Sequence, residues 1–457
     1  MNALIFSAIA GVLMMFAGLV IREKSSIRLA ANVLLGLIIV VTFLDLRGIH
    51  FFHINTQGFL LFDKFSLLFT LIATLCTFIF FLLSGKDIEH IGKNYSDYYA
   101  LIFFVLCGVI ISASFQSLLM LFLGIEILSI PLYVLTGSDK RNLKSNEAAL
   151  KYFLLGTFST GLMLMGIALI YGATGSFITS QFVFATEKTP VLFIAGLLMV
   201  LFAMSFKVSA APFHFWTPDV YDGAPTVVTS FMATVVKVAG FIAFMRLFSE
   251  GFGDIRPQWK LVVGVVAAAT LFIGNITAVF QQSVKRMLAY SSISQAGFMM
   301  LAVYSISAEA REGLLLYAAA YSLATIGIFA VLVKMNDYSF DGFNGFAKQQ
   351  PLLAGALVIL LLSLAGIPLT AGFLSKLFML RTTIEAGNLW LAIFSVLMAA
   401  VSVYYYFRLI QAMYFRDAVT NQTIQVSTGF KYILVSVAVL TIILGVFPDV
   451  LLYWLYF

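Results

Sequence analysis

Charge is the scarcest thing in this chain. Asp, Glu, Lys and Arg make up 11% of its 457 residues, against about 25% in a typical soluble domain. With 61% hydrophobic residues, such a chain could not keep a folded surface in solution. That excludes a soluble enzyme, a nucleic-acid reader and a disordered protein. There are two cysteines, Cys76 and Cys107, both inside apolar runs. They read as small core residues and point to neither a disulfide framework nor a metal cluster. The chain also lacks GxxxxGK[ST], a dinucleotide fingerprint, CxxC and HExxH, and shows no arginine-rich voltage-sensor spacing. Uphill ion movement would therefore draw its energy from another gradient or from a partner subunit.

What is present is apolar length. About 20 mostly apolar residues cross a bilayer as a helix. Fourteen runs qualify: 3–21, 29–46, 63–83, 98–116, 117–136, 147–171, 191–214, 225–248, 260–280, 287–306, 312–334, 352–382, 388–411 and 431–454. The first run has neither a basic flank nor a cleavage site and reads as a retained helix. The expectation is an all-α polytopic membrane protein with about 14 transmembrane helices. The net charge of +6 reads as loop lysines and arginines on one membrane face. Basic residues favour one set of loops by about two to one, most clearly Arg22 to Arg28, Lys140 to Lys144, and Lys285-Arg286. That bias places both termini on the outer side. All four tryptophans fall at run ends, as an interfacial belt would require.

Two runs are interrupted. The seventh reads Lys207-Val-Ser-Ala-Ala-Pro212-Phe-His214, and the twelfth reads Gly366-Ile-Pro368-Leu-Thr-Ala-Gly372-Phe-Leu-Ser-Lys376. Proline frees backbone carbonyls that need other partners inside a bilayer. Broken helices in corresponding halves point to a transport site between repeats. An ordinary proline kink is the bland alternative for each.

Four ionisable residues lie inside the runs: Glu126, Lys207, Lys237 and Lys376. Each costs about 2.5–3.5 kcal/mol at the centre of a membrane helix, and such residues usually mark ion or proton pathways. A static ion pair would account for two of them and leave two lysines without an acid. Burial disfavours a charged amine. A carboxylate about 4 Å away returns roughly 4 kcal/mol at an effective dielectric of about 20. A lysine that alternates between the two conditions can load and release a proton. His214, two turns beyond Lys207, and Lys151, beside Glu147 at the start of the sixth run, are further candidates. The alternatives are a backbone-bonded loop histidine and a snorkelling interfacial lysine.

Four motifs then carry a resemblance. They are Glu147-Ala-Ala-Leu-Lys-Tyr-Phe-Leu-Leu-Gly156, Tyr171-Gly-Ala-Thr-Gly175, Phe206 to Pro225, and Lys285-Arg-Met-Leu-Ala-Tyr-Ser-Ser-Ile-Ser-Gln-Ala-Gly297. The first three resemble the subunit N family of the bacterial proton-pumping NADH–quinone oxidoreductase, complex I. The fourth is shared with all the antiporter-like, Mrp-related subunits. Coverage runs from about residue 60 to 415. Lys376 stands where the M-type sister usually has glutamate, and the long lateral helix of the L-type has no counterpart. Asp222 replaces a frequent glutamate.

The resemblance implies two inverted five-helix repeats with two broken helices. Three helices occupy 1–97, the repeats 98–250 and 251–415, and a last helix 416–457. It also implies that Glu126 pairs with Lys207, that Lys237 connects and that Lys376 is terminal. The implied role is proton translocation in a bacterial inner membrane, beside M-type and K-type subunits in the lipid bilayer and without nucleic acid. No cofactor is expected in this chain; NADH, FMN, iron–sulfur clusters and quinone belong to partner subunits. A sodium/proton antiporter subunit and a non-pumping scaffold are the alternatives.

Overall fold

In lipid every backbone polar group must be satisfied within the protein, so a chain this apolar is driven into helices. The computed structural model describes residues 1–52, 54–56, 58–92, 94–182, 189–417 and 425–456, and these are almost entirely helical. Six continuous helices come first: α1 (Asn2–Val20), α2 (Lys24–Leu46), α3 (Lys64–Ile91), α4 (Tyr95–Ser114), α5 (Leu118–Thr136) and α6 (Leu143–Thr174). The helix of the seventh run ends early, as α7 (Val191–Lys207), and a short helix beyond the run, α8 (Trp216–Gly223), follows the break. The eighth is α9 (Thr226–Phe231), a π-helical turn (Met232–Val236) and α10 (Lys237–Glu250). Then come α11 (Arg256–Val279), α12 (Val284–Ser305), α13 (Ala308–Leu332) and the single turn α14 (Phe346–Gln349). The twelfth run divides into α15 (Pro351–Ala365) and α16 (Ala371–Glu385), followed by α17 (Leu389–Phe415), α18 (Thr428–Val446) and a terminal turn, α19 (Asp449–Leu452).

Among the described residues, eleven helices are long and apolar enough to cross a membrane. The other three runs fall short for physical reasons. The break leaves α7 with 17 residues. The other break leaves α15 and α16 with 15 each. The middle of α12 is given to Ser291, Ser292, Ser294 and Gln295.

Ends are set locally. Asp63, Asn142, Ser307, Asn388 and Ser427 cap their helices by accepting from backbone N–H groups, as short polar side chains do at N-termini. The Tyr171–Gly175 motif closes α6. Gly175 takes φ +71° and its N–H bonds Tyr171 O at 2.7 Å, a left-handed C-terminal stop.

The α9–α10 span and α13 are completely enclosed, whereas α1, α2, α6 and α18 bury a third or less of their apolar length. The core is thus the α9–α10 span and α13, together with α12, of whose 22 residues 20 are buried, wrapped by helices that turn apolar side chains outward. Helices α6 and α7 approach at Gly166 and Gly196: a Cβ on either would stand 2.7 Å from the other's carbonyl oxygen. Gly196→Val should therefore force α6 and α7 apart, at about 1–3 kcal/mol for overpacking. The expected result is a severalfold drop in membrane-integrated protein on quantitative blotting. Gly161→Ala, with nothing within 4 Å, is expected to leave the level unchanged.

The tryptophan belt needs correction. Trp390 is 81% exposed, but Trp216 and Trp259 are buried at 4% and 0%. Their indole N–H groups donate to Phe206 O at 3.0 Å and Phe252 O at 2.9 Å. These two rings satisfy carbonyls inside the bundle.

Candidate functional site

The first break comes immediately after Lys207. Ser209 takes φ +64°, a conformation that costs a non-glycine residue roughly 1–2 kcal/mol, and Ala211 N–H finds Thr270 Oγ1 of α11 at 2.8 Å. The carbonyl of Phe206, which accepts from Ser209 N–H at 3.1 Å, also accepts from Trp216. Ending α7 here leaves the Lys207 amine beside α5, where Glu126, Ser129 and Tyr133 share a face at helical spacing. Lys207 Nζ lies 3.7 Å from Glu126 Oε1, with side chains 8% and 19% exposed. It donates to Ser129 Oγ at 3.1 Å and reaches Tyr133 Oη at 3.5 Å. Thr160 on α6 donates to the same Glu126 oxygen at 2.7 Å. The carboxylate therefore has a hydroxyl partner that does not depend on the lysine.

The second break is built on the same plan with the order reversed. Leu369 takes φ +73° and Gly366 φ +86°. Lys376, on the second half-helix, reaches back to the last carbonyls of the first, Leu364 O at 2.7 Å and Ala365 O at 3.0 Å. A cation belongs at a helix C-terminus. Its ammonium also lies 4.6 Å from the centre of the Phe298 ring. A small cavity of about 10 Å³, lined in part by Gln295, Tyr317, Tyr321 and Ser375, lies beside it.

Lys237 follows the π-helical turn on the enclosed eighth span, and π-turns are frequent at functional sites. It is 2% exposed. Its Nζ donates to Ser292 Oγ at 2.8 Å and Ser292 O at 3.2 Å. Three residues further along α12, one turn away, Gln295 Nε2 donates to Leu364 O at 2.9 Å, the carbonyl that also holds Lys376. One face of α12 thus joins the surroundings of two lysines. Tyr317 donates to Gln295 Oε1, and Tyr406 bonds Gln295 and Ser291. On the other side of Lys237 the connection is aromatic. Tyr133 meets Tyr152 edge-on, Tyr152 stacks on Trp216 at 4.7 Å, Trp216 meets Tyr221 edge-on, and the Lys237 amine lies 5.5 Å from the Tyr221 ring centre.

His214 lies in the first break, buried, with Nδ1 lacking a protein hydrogen-bond partner; the Ser205, Ser209 and Thr217 hydroxyls, close to it in sequence, are in the same condition. Lys151 stands apart from the row. It pairs with Glu147 at 2.8 Å and Asp219 at 2.9 Å on the wall of an open cavity that also includes Lys144, Asp222 and Arg286. Among the described residues there is no group of three His, Cys, Asp or Glu placed to hold a metal.

Reading the sequence for charge missed Ser129, Tyr133, Thr160, Tyr317 and Tyr406. The run Tyr404-Tyr405-Tyr406 inside an apolar span was the available signal for the last. The others look like ordinary helical residues until the bundle is assembled.

Residues 116–402, more than half of the chain, match the family model described as NADH:quinone oxidoreductase/Mrp antiporter, TM. The chain is 40% identical to the NADH-quinone oxidoreductase subunit N of Cytophaga hutchinsonii, over 99% of both chains. It is similar to a chain of respiratory complex I from Thermus thermophilus, with 32% identity, a TM-score of 0.84, and 99% and 98% of the two chains covered. It shares its fold with a chain of the Mrp complex from Dietzia sp. DQ12-45-1b, at 19% identity and a TM-score of 0.86, over 99% and 96%.

Proposed function

This chain belongs to the NADH:quinone oxidoreductase/Mrp antiporter membrane family, and from that premise we propose that it moves protons along a row of buried amines as the N-type antiporter-like subunit of a membrane-arm assembly. The observation that carries the reading is the Glu126–Lys207 pair at 3.7 Å. Lys237 and Lys376 follow it, held by hydroxyls and carbonyls on a shared face of α12.

Redox chemistry in partner subunits displaces or neutralises the charge at Glu126. The Lys207 ammonium, left in oil with one hydroxyl and one phenol, then gives up its proton. Unpartnered buried polar atoms at His214, Ser205, Ser209 and Thr217 call for water, and hydration at this break supplies the first step of a wire toward Lys237. Lys237 passes the proton by way of the Ser292–Gln295 face to Lys376, for release on the outer side. Lys151 serves uptake on the opposite side. The two breaks belong to inverted repeats over 98–250 and 251–415. The host is a bacterial inner-membrane translocase, with both termini outside and M-type and K-type neighbours. NADH, FMN, iron–sulfur clusters and quinone lie in its other subunits.

The family description, which joins Mrp antiporters to the oxidoreductase subunits, makes sodium/proton antiport the second reading. Glu126→Gln, which keeps the hydrogen bond to Thr160 and removes the charge, tests the pair, and dependence on sodium and on NADH separates the two readings. In sealed vesicles carrying the assembled complex, NADH-driven proton uptake is expected to fall severalfold and to be indifferent to sodium. Sodium-dependent uptake without NADH would replace this reading with antiport.

A further inference from the structure

One buried charge has no part in the row described above. Lys285, in the first turn of α12, is 3% exposed. Its ammonium donates to two backbone carbonyls, Asp222 O at 2.8 Å and Ala224 O at 2.7 Å. These belong to the C-terminal end of α8, where helix carbonyls have no partner within the helix. A cation there also opposes the helix dipole.

The contact closes a ring of interactions. Lys285 Nζ lies 5.6 Å from the centre of the Tyr338 ring. Tyr338 Oη accepts from Thr226 Oγ1 at 3.0 Å, and Tyr338 O accepts from Val284 N–H at 2.7 Å. The end of α8, the start of α9, the start of α12 and Tyr338 are thereby tied together.

Helix α8 needs such an anchor. It has eight residues, too few to persist without tertiary support. Its other charged ties, Lys151 and Arg286 to Asp219, involve side chains 36–41% exposed, and exposed pairs contribute little. Gly223 is pressed against α6, where a Cβ would meet Lys144 O at 2.6 Å, so the tolerance for movement there is small. Helix α8 also carries Trp216 and Tyr221, the rings leading from the Lys207 site to the Lys237 amine.

We propose that Lys285 is a positioning residue that pins α8, and with it Trp216 and Tyr221, against the path between Lys207 and Lys237. The claim rests on the lysine-row reading for its functional consequence, but the anchoring itself is a separate, measurable property. Lys285 acts as a fixed charge and donor, and no proton passes through it.

The test compares Lys285→Met and Lys285→Arg in the assembled complex, with Lys207→Met as reference. Arginine keeps the charge and several donors but does not release its proton. In the Met variant, amide hydrogen exchange over residues 216–224 is expected to accelerate by about tenfold, as charged hydrogen bonds are lost from a short helix. NADH-driven proton pumping should fall severalfold, and Arg should restore both towards wild type. Unchanged exchange in the Met variant overturns the proposal. So does wild-type pumping in that variant, provided Lys207→Met shows its lowered pumping stoichiometry. Slow exchange with no pumping in the Arg variant also overturns it, because Lys285 would then be a proton carrier. Should Lys285→Met fail to assemble, Lys285→Gln keeps an amide donor without the charge, and the same two measurements judge it. Normal pumping in Lys207→Met would instead remove the lysine-row reading, leaving the exchange result to decide the anchor alone.

Discussion

A complex carrying Lys207→Met should oxidise NADH without net proton pumping through this subunit, and its pumping stoichiometry per electron should drop measurably. The side chain is 8% exposed and its amine stands 3.7 Å from Glu126, where the pair interaction is about 4 kcal/mol at an effective dielectric of about 20. Removing one partner of a buried pair usually costs about 3–5 kcal/mol, because the other charge is left uncompensated. Here Glu126 keeps the Thr160 hydroxyl at 2.7 Å and is 19% exposed on its side chain. It can take up a proton and become neutral. Methionine preserves most of the lysine's volume, so the complex should still assemble, as judged by co-purification of its subunits.

The sharper comparison is Lys207→Arg. If the pair were only a staple between α5 and α7, arginine would satisfy it and pumping would be normal. If the group must alternately hold and give up a proton, arginine fails as completely as methionine, because its guanidinium does not deprotonate in proteins. The expected result is loss in both variants, read as proton uptake per NADH oxidised in sealed vesicles. Normal stoichiometry in either would end the proton-carrier assignment for Lys207.

Much of this site was legible before any helix was placed. Glu126, Lys207, Lys237 and Lys376 stood out because charge inside an apolar run is costly whatever surrounds it. The two breaks were legible because proline and glycine act locally. The partners were not. Ser129 and Tyr133 are ordinary residues of α5 until the end of α7 delivers an amine to them. Gln295 lay in a recognised motif, but its hold on Leu364 O, 69 residues away, exists only in the folded bundle. Trp216 misled the sequence argument for the same reason. Its position at a run's end fits a lipid interface, but the break turns that end inward and gives the indole to Phe206 O. Charge and chain-breaking can be read from one residue, whereas satisfaction of a polar group requires the neighbour.

The second break makes the same point through a residue with no side chain. Gly372→Ala is expected to lower the pumping stoichiometry of the complex that survives assembly as far as Lys376→Met does, and to lower the amount that survives. An added Cβ would stand 1.9 Å from Ser363 O and 2.7 Å from Ser363 C. Both are backbone atoms near the C-terminal end of α15, so no side chain can rotate away. Ordinary carbon contacts lie at about 3.5–4.0 Å, so α15 and α16 must separate by on the order of an ångström. Lys376 sits four residues further on the same half-helix and face, and its bonds to Leu364 O and Ala365 O, at 2.7 and 3.0 Å, cross that gap. Gly355→Ala on α15, with nothing within 4 Å, should be silent. A double-mutant cycle separates displacement of Lys376 from general unfolding. If Gly372 acts through Lys376, the pumping of Gly372→Ala/Lys376→Met per assembled complex equals that of Lys376→Met alone. Wild-type pumping by Gly372→Ala would show that Lys376 does not depend on the tight seam between the two half-helices.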